Sequence, residues 1–457
     1  MRDRKHLIVL ETFTVDESSF RNAKLRDLLL IAYKAFADLA GKGSLFVITV
    51  AAARRLSPGA FGVFSVGSTL GWLVAVATDF GIQLHLARAV ARRPADAARL
   101  LRTWLRVRVW MAGVAVGAVA LAVFATPWRA EYGAPIAVFA LMYAGSSLIE
   151  FLHYFYRGLS RSDLESSLTL WQRGGTLVCG LLALAWKPDV TVLAIAMLAP
   201  VAVTLVVSLR IATRMSGPVA RGFPASADAT RAALQVFRTD VFPIGAGIVL
   251  SALYFRIDVF LVQLWSGTDS VALYNAVFRL VEALRLFPAA VLAVTLPALV
   301  RARDLRALLH VSVPATLFAA AVTVVLWLAA GWVIPFVYGA RYAAAVPAFR
   351  ILLLSFPLLS LNYALTHQLI AWDGQRMYAA LCGTALAINV ALNARLIPRW
   401  SIAGAAWATL GTEMFLTAGC GVGLWVLRSG RSGAAVPGAE VLGAVRGAGV
   451  LGAGVQP

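Results

Sequence analysis

Apolar residues gather along this chain into runs of roughly twenty positions, set apart by short polar intervals that carry most of the arginines. A helix of that length crosses the roughly 30 Å of hydrocarbon in a bilayer. The runs predict helices over 28–52, 61–86, 104–125, 135–156, 166–186, 190–210, 241–264, 270–298, 311–334, 347–370, 377–397 and 402–427. The longest connector, 211–240, contains Gly217-Pro218, Gly222, Pro224 and several arginines, and is too short for a large soluble domain. It divides the spans six and six. The expectation is an all-α polytopic membrane protein of about twelve transmembrane helices in two six-helix bundles. The expected parts are a cytoplasmic tail 1–27, an N-terminal lobe 28–210, a cytoplasmic linker 211–240, a C-terminal lobe 241–427 and a disordered cytoplasmic tail 428–457.

Composition agrees with the pattern. Apolar residues make up 60% of the 457 and charged residues only 14%, against about 25% in an ordinary soluble domain. The apolar run Leu7–Leu10 is too short for a signal-peptide core, so no cleavage is expected.

The net charge of +19 sets the orientation. With a cytoplasmic N-terminus, the inner segments hold Arg2, Arg4, Lys5, Arg21, Lys24 and Arg26, then Arg88, Arg92, Arg93, Arg99, Arg102, Arg106 and Arg108, with more after each later pair of spans. The outer loops hold far fewer, among them Arg54, Arg55, Lys187 and Arg341. The excess of cations inside puts both termini in the cytoplasm. Because the basic residues are spread over short loops, anionic lipid headgroups are the expected partner and nucleic acid is not. Arg99, Arg102, Arg106 and Arg108, interleaved with Leu100, Leu101, Trp104 and Leu105, suit an interfacial turn of helix.

Catalytic and metal motifs are missing. Cys179, Cys382 and Cys420 stand singly in apolar spans, and Gly41-Lys42-Gly43-Ser44 lacks the earlier glycine of a phosphate-binding loop. There is no H-E-x-x-H and no G-x-S-x-G. No enzyme, metal or cofactor is expected. Membrane glycosyltransferases and membrane-embedded polysaccharide polymerases stay open as an alternative, although the long outer loop with acidic residues that such enzymes usually show is missing.

The informative positions are ionisable residues within spans, each costing about 2.5–3.5 kcal/mol at a helix centre unless paired or hydrated. Lys34, Asp38 and Lys42 stand at i, i+4 and i+8 on one stripe with one surplus cation. Either this surplus serves an anion, or Lys34 snorkels and Asp38 with Lys42 is a structural ion pair. Arg279, Glu282 and Arg285 repeat the pattern in the eighth span. Arg256 and Asp258, two apart, need partners elsewhere; Arg256 either points into a cavity or lies near the outer surface. Glu150 with His153 reads as an interfacial pair, with a proton-coupled pair as the alternative, and Gln172, Arg173, Asn389 and Asn393 read as inter-helix hydrogen-bonding groups. Asp79 before Phe80-Gly81 marks a helix break, and Arg350 snorkels outward.

Two stretches carry a resemblance. Ala53-Arg54-Arg55-Leu56-Ser57-Pro58-Gly59-Ala60-Phe61-Gly62-Val63-Phe64-Ser65, followed by Asp79-Phe80-Gly81-Ile82 and Leu86-Ala87-Arg88, resembles the first helical hairpin of the Wzx-type polysaccharide and O-antigen flippases. Ser251-Ala252-Leu253-Tyr254-Phe255-Arg256-Ile257-Asp258, with Leu273-Tyr274-Asn275-Ala276 and Phe278-Arg279-Leu280, resembles the start of that family's second lobe. The resemblance implies the polysaccharide transporter branch of the multidrug/oligosaccharidyl-lipid/polysaccharide (MOP) exporter superfamily. With it come a MATE-like fold with a V-shaped cavity, a bacterial inner-membrane location, and undecaprenyl-diphosphate-linked saccharide as cargo. Lys34, Lys42, Arg256 and Arg279 are then the expected cavity cations for the diphosphate. Asp38, Glu282, Asp258 and Arg285 are the candidates for ion coupling or charge pairing. A buried Asp38 or Glu282 could bind a proton or Na⁺, although each has a nearby cation that favours its ionised form, and the energy source stays open. Lipid-linked oligosaccharide, membrane lipids and polysaccharide polymerase machinery are the implied partners. A cation-coupled multidrug exporter or a lipid II flippase of the same superfamily, and a non-transporting scaffold, are the remaining alternatives.

Overall fold

Long helices build nearly all of the structure, and no β-strand occurs among the described residues. The computed structural model describes residues 17–125, 129–216, 242–291, 305–372 and 374–432, with positions 235, 237 and 295. Residues 1–16 of the expected N-terminal tail, 217–234 of the expected linker and 433–457 of the expected C-terminal tail lie outside the described residues.

The helices are α1 (Glu17–Arg55), α2 (Pro58–Asp79), α3 (Ile82–Arg92), α4 (Ala97–Phe124), α5 (Arg129–Gly158), α6 (Ser162–Trp186) and α7 (Val190–Met215). They continue as α8 (Phe242–Leu284), α9 (Leu305–Tyr338), α10 (Val346–Ala371) and α11 (Gln375–Ser432), with 3₁₀ turns at Pro94–Asp96 and Ala340–Ala345. Among the described residues ten stretches are long and apolar enough to cross a membrane, so this is a multi-pass membrane protein.

Two of the ten each contain two of the expected spans. The spans expected at 241–264 and 270–298 share one bent element, α8, and those at 377–397 and 402–427 share α11. The bends fall at Gly267 (φ 81°) and Ser401 (φ 48°). Asn275 reaches Arg256 across the first bend, and Asn389 donates to Thr412 across the second. Each bent element is therefore a hairpin whose arms lie side by side. One residue of positive φ turns the chain at each bend, within the short polar stretches Ser266-Gly267-Thr268-Asp269 and Pro398-Arg399-Trp400-Ser401 that separate the expected spans.

The contacts divide the chain into two units, one made of 1–56 and 70–226, the other of 57–69 and 227–457. In the first unit α1 packs on α6, and α5 packs on α7, α3 and α4. Phe139, Phe151, Phe155 and Tyr156 fill its interior, and the Tyr156 hydroxyl donates to the Ser208 carbonyl at 2.7 Å, tying α5 to α7. The break between α2 and α3 is a capped turn. Phe80 and Gly81 have positive φ, and the Asp79 carboxylate accepts from the Gly81 and Gln83 amides. Asp189 caps α7 in the same manner, accepting from Thr191 and Val192 at 2.8 and 3.0 Å.

In the second unit the arms of α8 pack on α11, and α10 packs between α9 and α11. The start of α2 belongs here. A Cβ at Gly62 would stand 2.2 Å from the Thr268 carbonyl oxygen, beside the α8 bend, so only glycine permits this approach. Large apolar side chains such as Leu121, Leu182, Leu328, Trp332 and Trp425 are exposed, as expected for helices solvated by lipid.

Candidate functional site

Both units hold charged groups within their apolar packing. In the first, Glu165 is the hub. Its carboxylate sits almost fully buried near the start of α6 and receives Lys34 Nζ from α1 at 2.7 Å and a bidentate contact from Arg157 at the end of α5. Lys34 also contacts Asp38 at 2.7 Å, and Asp38 is exposed. Two acids thus hold two cations, and burial makes each partner dependent on the others. Lys42, two turns further along α1, is exposed and has no ion-pair partner among the described residues. The Arg173 stem lies over Gly41, where a Cβ would come within 3.2 Å of its Cγ.

Arg108 departs from its expected place. The pattern of the sequence groups it with Arg99, Arg102 and Arg106 as interfacial, yet it is fully buried, donating to the Ser147 carbonyl at 3.1 Å and hydroxyl at 2.6 Å. At 100° per residue, nine positions carry Arg108 about 180° around α4 from Arg99, so it faces inward while the others face out. Its Nε and one terminal nitrogen have no acceptor among the described residues, and its guanidinium stands 5.8 Å from the Phe151 ring. Ser147 passes the link on to the Ala75 carbonyl at 3.1 Å. Glu150 is exposed and His153 buried, so those two do not share one environment. Gln172 bonds Ser146 at 3.0 Å.

In the second unit the charges line the α8 hairpin. Arg256 is buried and donates to Thr69 Oγ1 at 2.9 Å and Asn275 Oδ1 at 3.1 Å, with its guanidinium 4.7 Å from the Phe278 ring. Asn275 in turn donates to Ser65 at 2.8 Å. Asp258 accepts a short bond from Tyr274 on the opposite arm. Arg256 and Asp258 therefore find separate partners, as their two-residue spacing requires. Arg279 contacts Glu282 at 2.7 Å, and Arg285 lies 4.2 Å from the centre of the Phe255 ring.

Sequence reasoning missed Glu413. It is buried on α11 and accepts from Asn362 Nδ2 at 2.7 Å and from the Tyr254 hydroxyl at 3.2 Å. Thr417 completes the network, donating to Asn362 Oδ1 at 2.7 Å. Glu413, Arg285, Glu282, Ser355, Phe255 and Phe278 line a pocket with room for about one water molecule. Glu413 stands alone among apolar and small residues in the sequence, so only its intramembrane position signalled it.

The candidate residues divide between the units. Lys34, Asp38 and Lys42 fall in the first, and Arg256, Asp258, Arg279, Glu282 and Arg285 in the second. Among the described residues no group of three or more His, Cys, Asp or Glu is placed to hold a metal ion.

Comparison with solved structures shows what this fold is similar to. An inward-facing multidrug resistance MATE family transporter of the MOP superfamily superposes with a TM-score of 0.64 at 17% identity, over 88% of this chain and 96% of the other. The lipid II flippase MurJ, in an inward closed conformation, gives 0.63 at 12% identity, over 86% of each chain. A MOP superfamily transporter from Pyrococcus furiosus, described as having a binding pocket of reverse polarity, gives 0.58 at 16% identity, over 88% and 95%. At such identities the likeness concerns the fold. Comparison with curated proteins yields no significant match. The family model described as polysaccharide biosynthesis protein matches residues 31–303, more than half of the sequence and including the Arg54 to Arg88 and Ser251 to Leu280 stretches. This chain belongs to the polysaccharide biosynthesis protein family.

Proposed function

We propose that the chain is a flippase that carries an undecaprenyl-diphosphate-linked saccharide across the bacterial inner membrane by alternating access, with both termini in the cytoplasm. The observation that carries this reading is membership of a polysaccharide biosynthesis family by a chain with a MOP-type membrane fold, a fold shared with a lipid II flippase. A saccharide diphosphate needs cations within the apolar span and has no use for a catalytic centre. Of the four candidate cations, Lys42 is exposed and has no ion-pair partner among the described residues, so its charge can meet a diphosphate. Lys34 and Arg279 are held by carboxylates at 2.7 Å and would exchange those partners for phosphate oxygens. Arg256 is packed within the α8 hairpin and acts at longer range.

Among the intramembrane acids, Asp38 and Glu282 are in ion pairs, whereas Asp258 and Glu413 accept from neutral donors. A coupling role for any of them requires a transport rate that responds to a proton or Na⁺ gradient. The test of function is the leaflet distribution of the lipid-linked saccharide in cells carrying Lys42→Ala or Arg279→Ala, with expression and insertion measured alongside. Accumulation in the inner leaflet with normal insertion supports the flippase. Normal export by both variants removes the cationic pathway.

A further inference from the structure

The outward face of α4 changes character within one turn. Arg99, Arg102 and Arg106 recur at i, i+3 and i+7, and the same stripe continues through Trp110, Gly113, Gly117 and Leu121. All seven are exposed. Basic side chains thus end at 106, and an apolar face starts beyond them with Trp110 and Leu121, 69% and 72% exposed. Arg88 and Arg92, one turn apart on α3, and Arg93 in the connecting turn bring the exposed arginines in this hairpin to six. Asp96 lies 3.3 Å from Arg99; the other five have no carboxylate partner among the described residues. A tryptophan at a border between arginines and hydrocarbon-facing residues marks the headgroup level of a bilayer.

The two glycines add an independent feature. A Cβ placed at Gly113 or Gly117 would meet nothing within 4 Å, so neither is small in order to admit another helix of this chain. Between Trp110 and Leu121 they leave a shallow furrow along the apolar part of the stripe. Gly113 and Gly117 are four apart, the spacing of a transmembrane helix-pairing motif, which raises a second copy as an occupant. Two-fold pairing of parallel helices along this stripe would bring Arg99, Arg102 and Arg106 against their own copies. That like-charge contact disfavours a dimer here.

We propose that this face is a binding site for an anionic phospholipid, its phosphate on Arg99, Arg102 and Arg106 and one acyl chain lying over Gly113 and Gly117 beside Trp110. The neighbouring arginines of α3 raise the local density of anionic headgroups, and the furrow turns that attraction into a defined position. Such a site tethers the first unit to the anionic leaflet. It is separate from the charged centre at Glu165 and does not depend on what the protein transports.

The test reads Trp110 directly. The full chain is reconstituted in phosphatidylcholine vesicles with a minor fraction of phosphatidylglycerol, with either the glycerol lipid or the choline lipid brominated in its acyl chains. Quenching is taken as the difference between the native chain and Trp110→Phe. At equal mole fraction, brominated phosphatidylglycerol is expected to quench about fivefold more, the scale of roughly one cation at the surface. The combined R99Q, R102Q and R106Q variant is expected to lower the ratio to the residue left by the α3 arginines, below about twofold, and the corresponding lysine variant to keep it. Gly113→Leu, which fills open space, is expected to lower quenching by both lipids. Equal quenching by the two lipids in the native chain would overturn the proposal without any variant. So would displacement by inorganic phosphate beyond that by chloride of equal ionic strength, or efficient crosslinking of Gly117→Cys chains, which would assign the face to free phosphate or to a second copy.

Discussion

Lys34 on α1 and Glu165 on α6, far apart in sequence, meet at 2.7 Å, and the same carboxylate holds Arg157. Removing the hub leaves two cations facing each other in a partly buried place. Glu165→Gln is expected to cost about 2 kcal/mol, less than a fully buried pair because Lys34 and Arg157 retain some exposure. The check is thermal unfolding in detergent. The double variant Glu165→Gln with Lys34→Met should recover part of the loss, and a purely additive loss would show that the two do not interact.

Arg108 presents the opposite case, a buried cation with two nitrogens lacking acceptors among the described residues. Its replacement by an apolar residue of similar length removes a desolvated charge, so Arg108→Met is expected to change stability by no more than about 1 kcal/mol. Ser147→Ala keeps the charge and removes an acceptor at 2.6 Å, costing about 1–3 kcal/mol. The order of the two melting temperatures decides. A less stable Arg108→Met protein would mean that the guanidinium is held by more than Ser147.

Much of the fold was legible because membrane helices announce themselves by length. The break after Asp79 was legible too, since an acid before Phe80-Gly81 supplies both a cap and a residue of free φ. Within the site, Lys34 with Asp38 and Arg279 with Glu282 follow from spacing on one helix. The bonds Lys34 to Glu165, Asn362 to Glu413 and Arg256 to Thr69 join different helices, and no local pattern encodes them. Arg157 and Glu165 were within reach, as they flank the turn between α5 and α6. Arg108 was misplaced because a run of arginines read as one basic patch hides the face each one takes.

Gly62 and Gly113 should respond differently to the same change. At Gly62 the added methyl meets the Thr268 backbone at 2.2 Å, where no side chain can swing away. Gly62→Ala is expected to lose about 1–3 kcal/mol through displacement of α2 from the α8 bend. Gly113→Ala meets open space and should unfold as the native chain does. Expression level and melting temperature compare them, and equal behaviour would mean that α2 does not approach Thr268 this closely.

Lys34 and Lys42 lie two turns apart on α1, yet among the described residues only Lys34 has carboxylate partners, so the two separate stability from transport. Lys34→Ala leaves Glu165 with a single cation and is expected to lower the melting temperature. Lys42→Ala breaks no contact and should keep stability within about 0.5 kcal/mol. On the proposed function, Lys42→Ala still slows delivery of lipid-linked saccharide to the outer leaflet, because it removes the unpaired cation of this stripe. Lys42→Arg keeps the charge and should restore most of the rate. Stability and flipping measured on the same preparations distinguish the outcomes. A stable Lys42→Ala protein with native export would show that the exposed charge meets only water or headgroups, and would shift attention to Arg279 and the second unit.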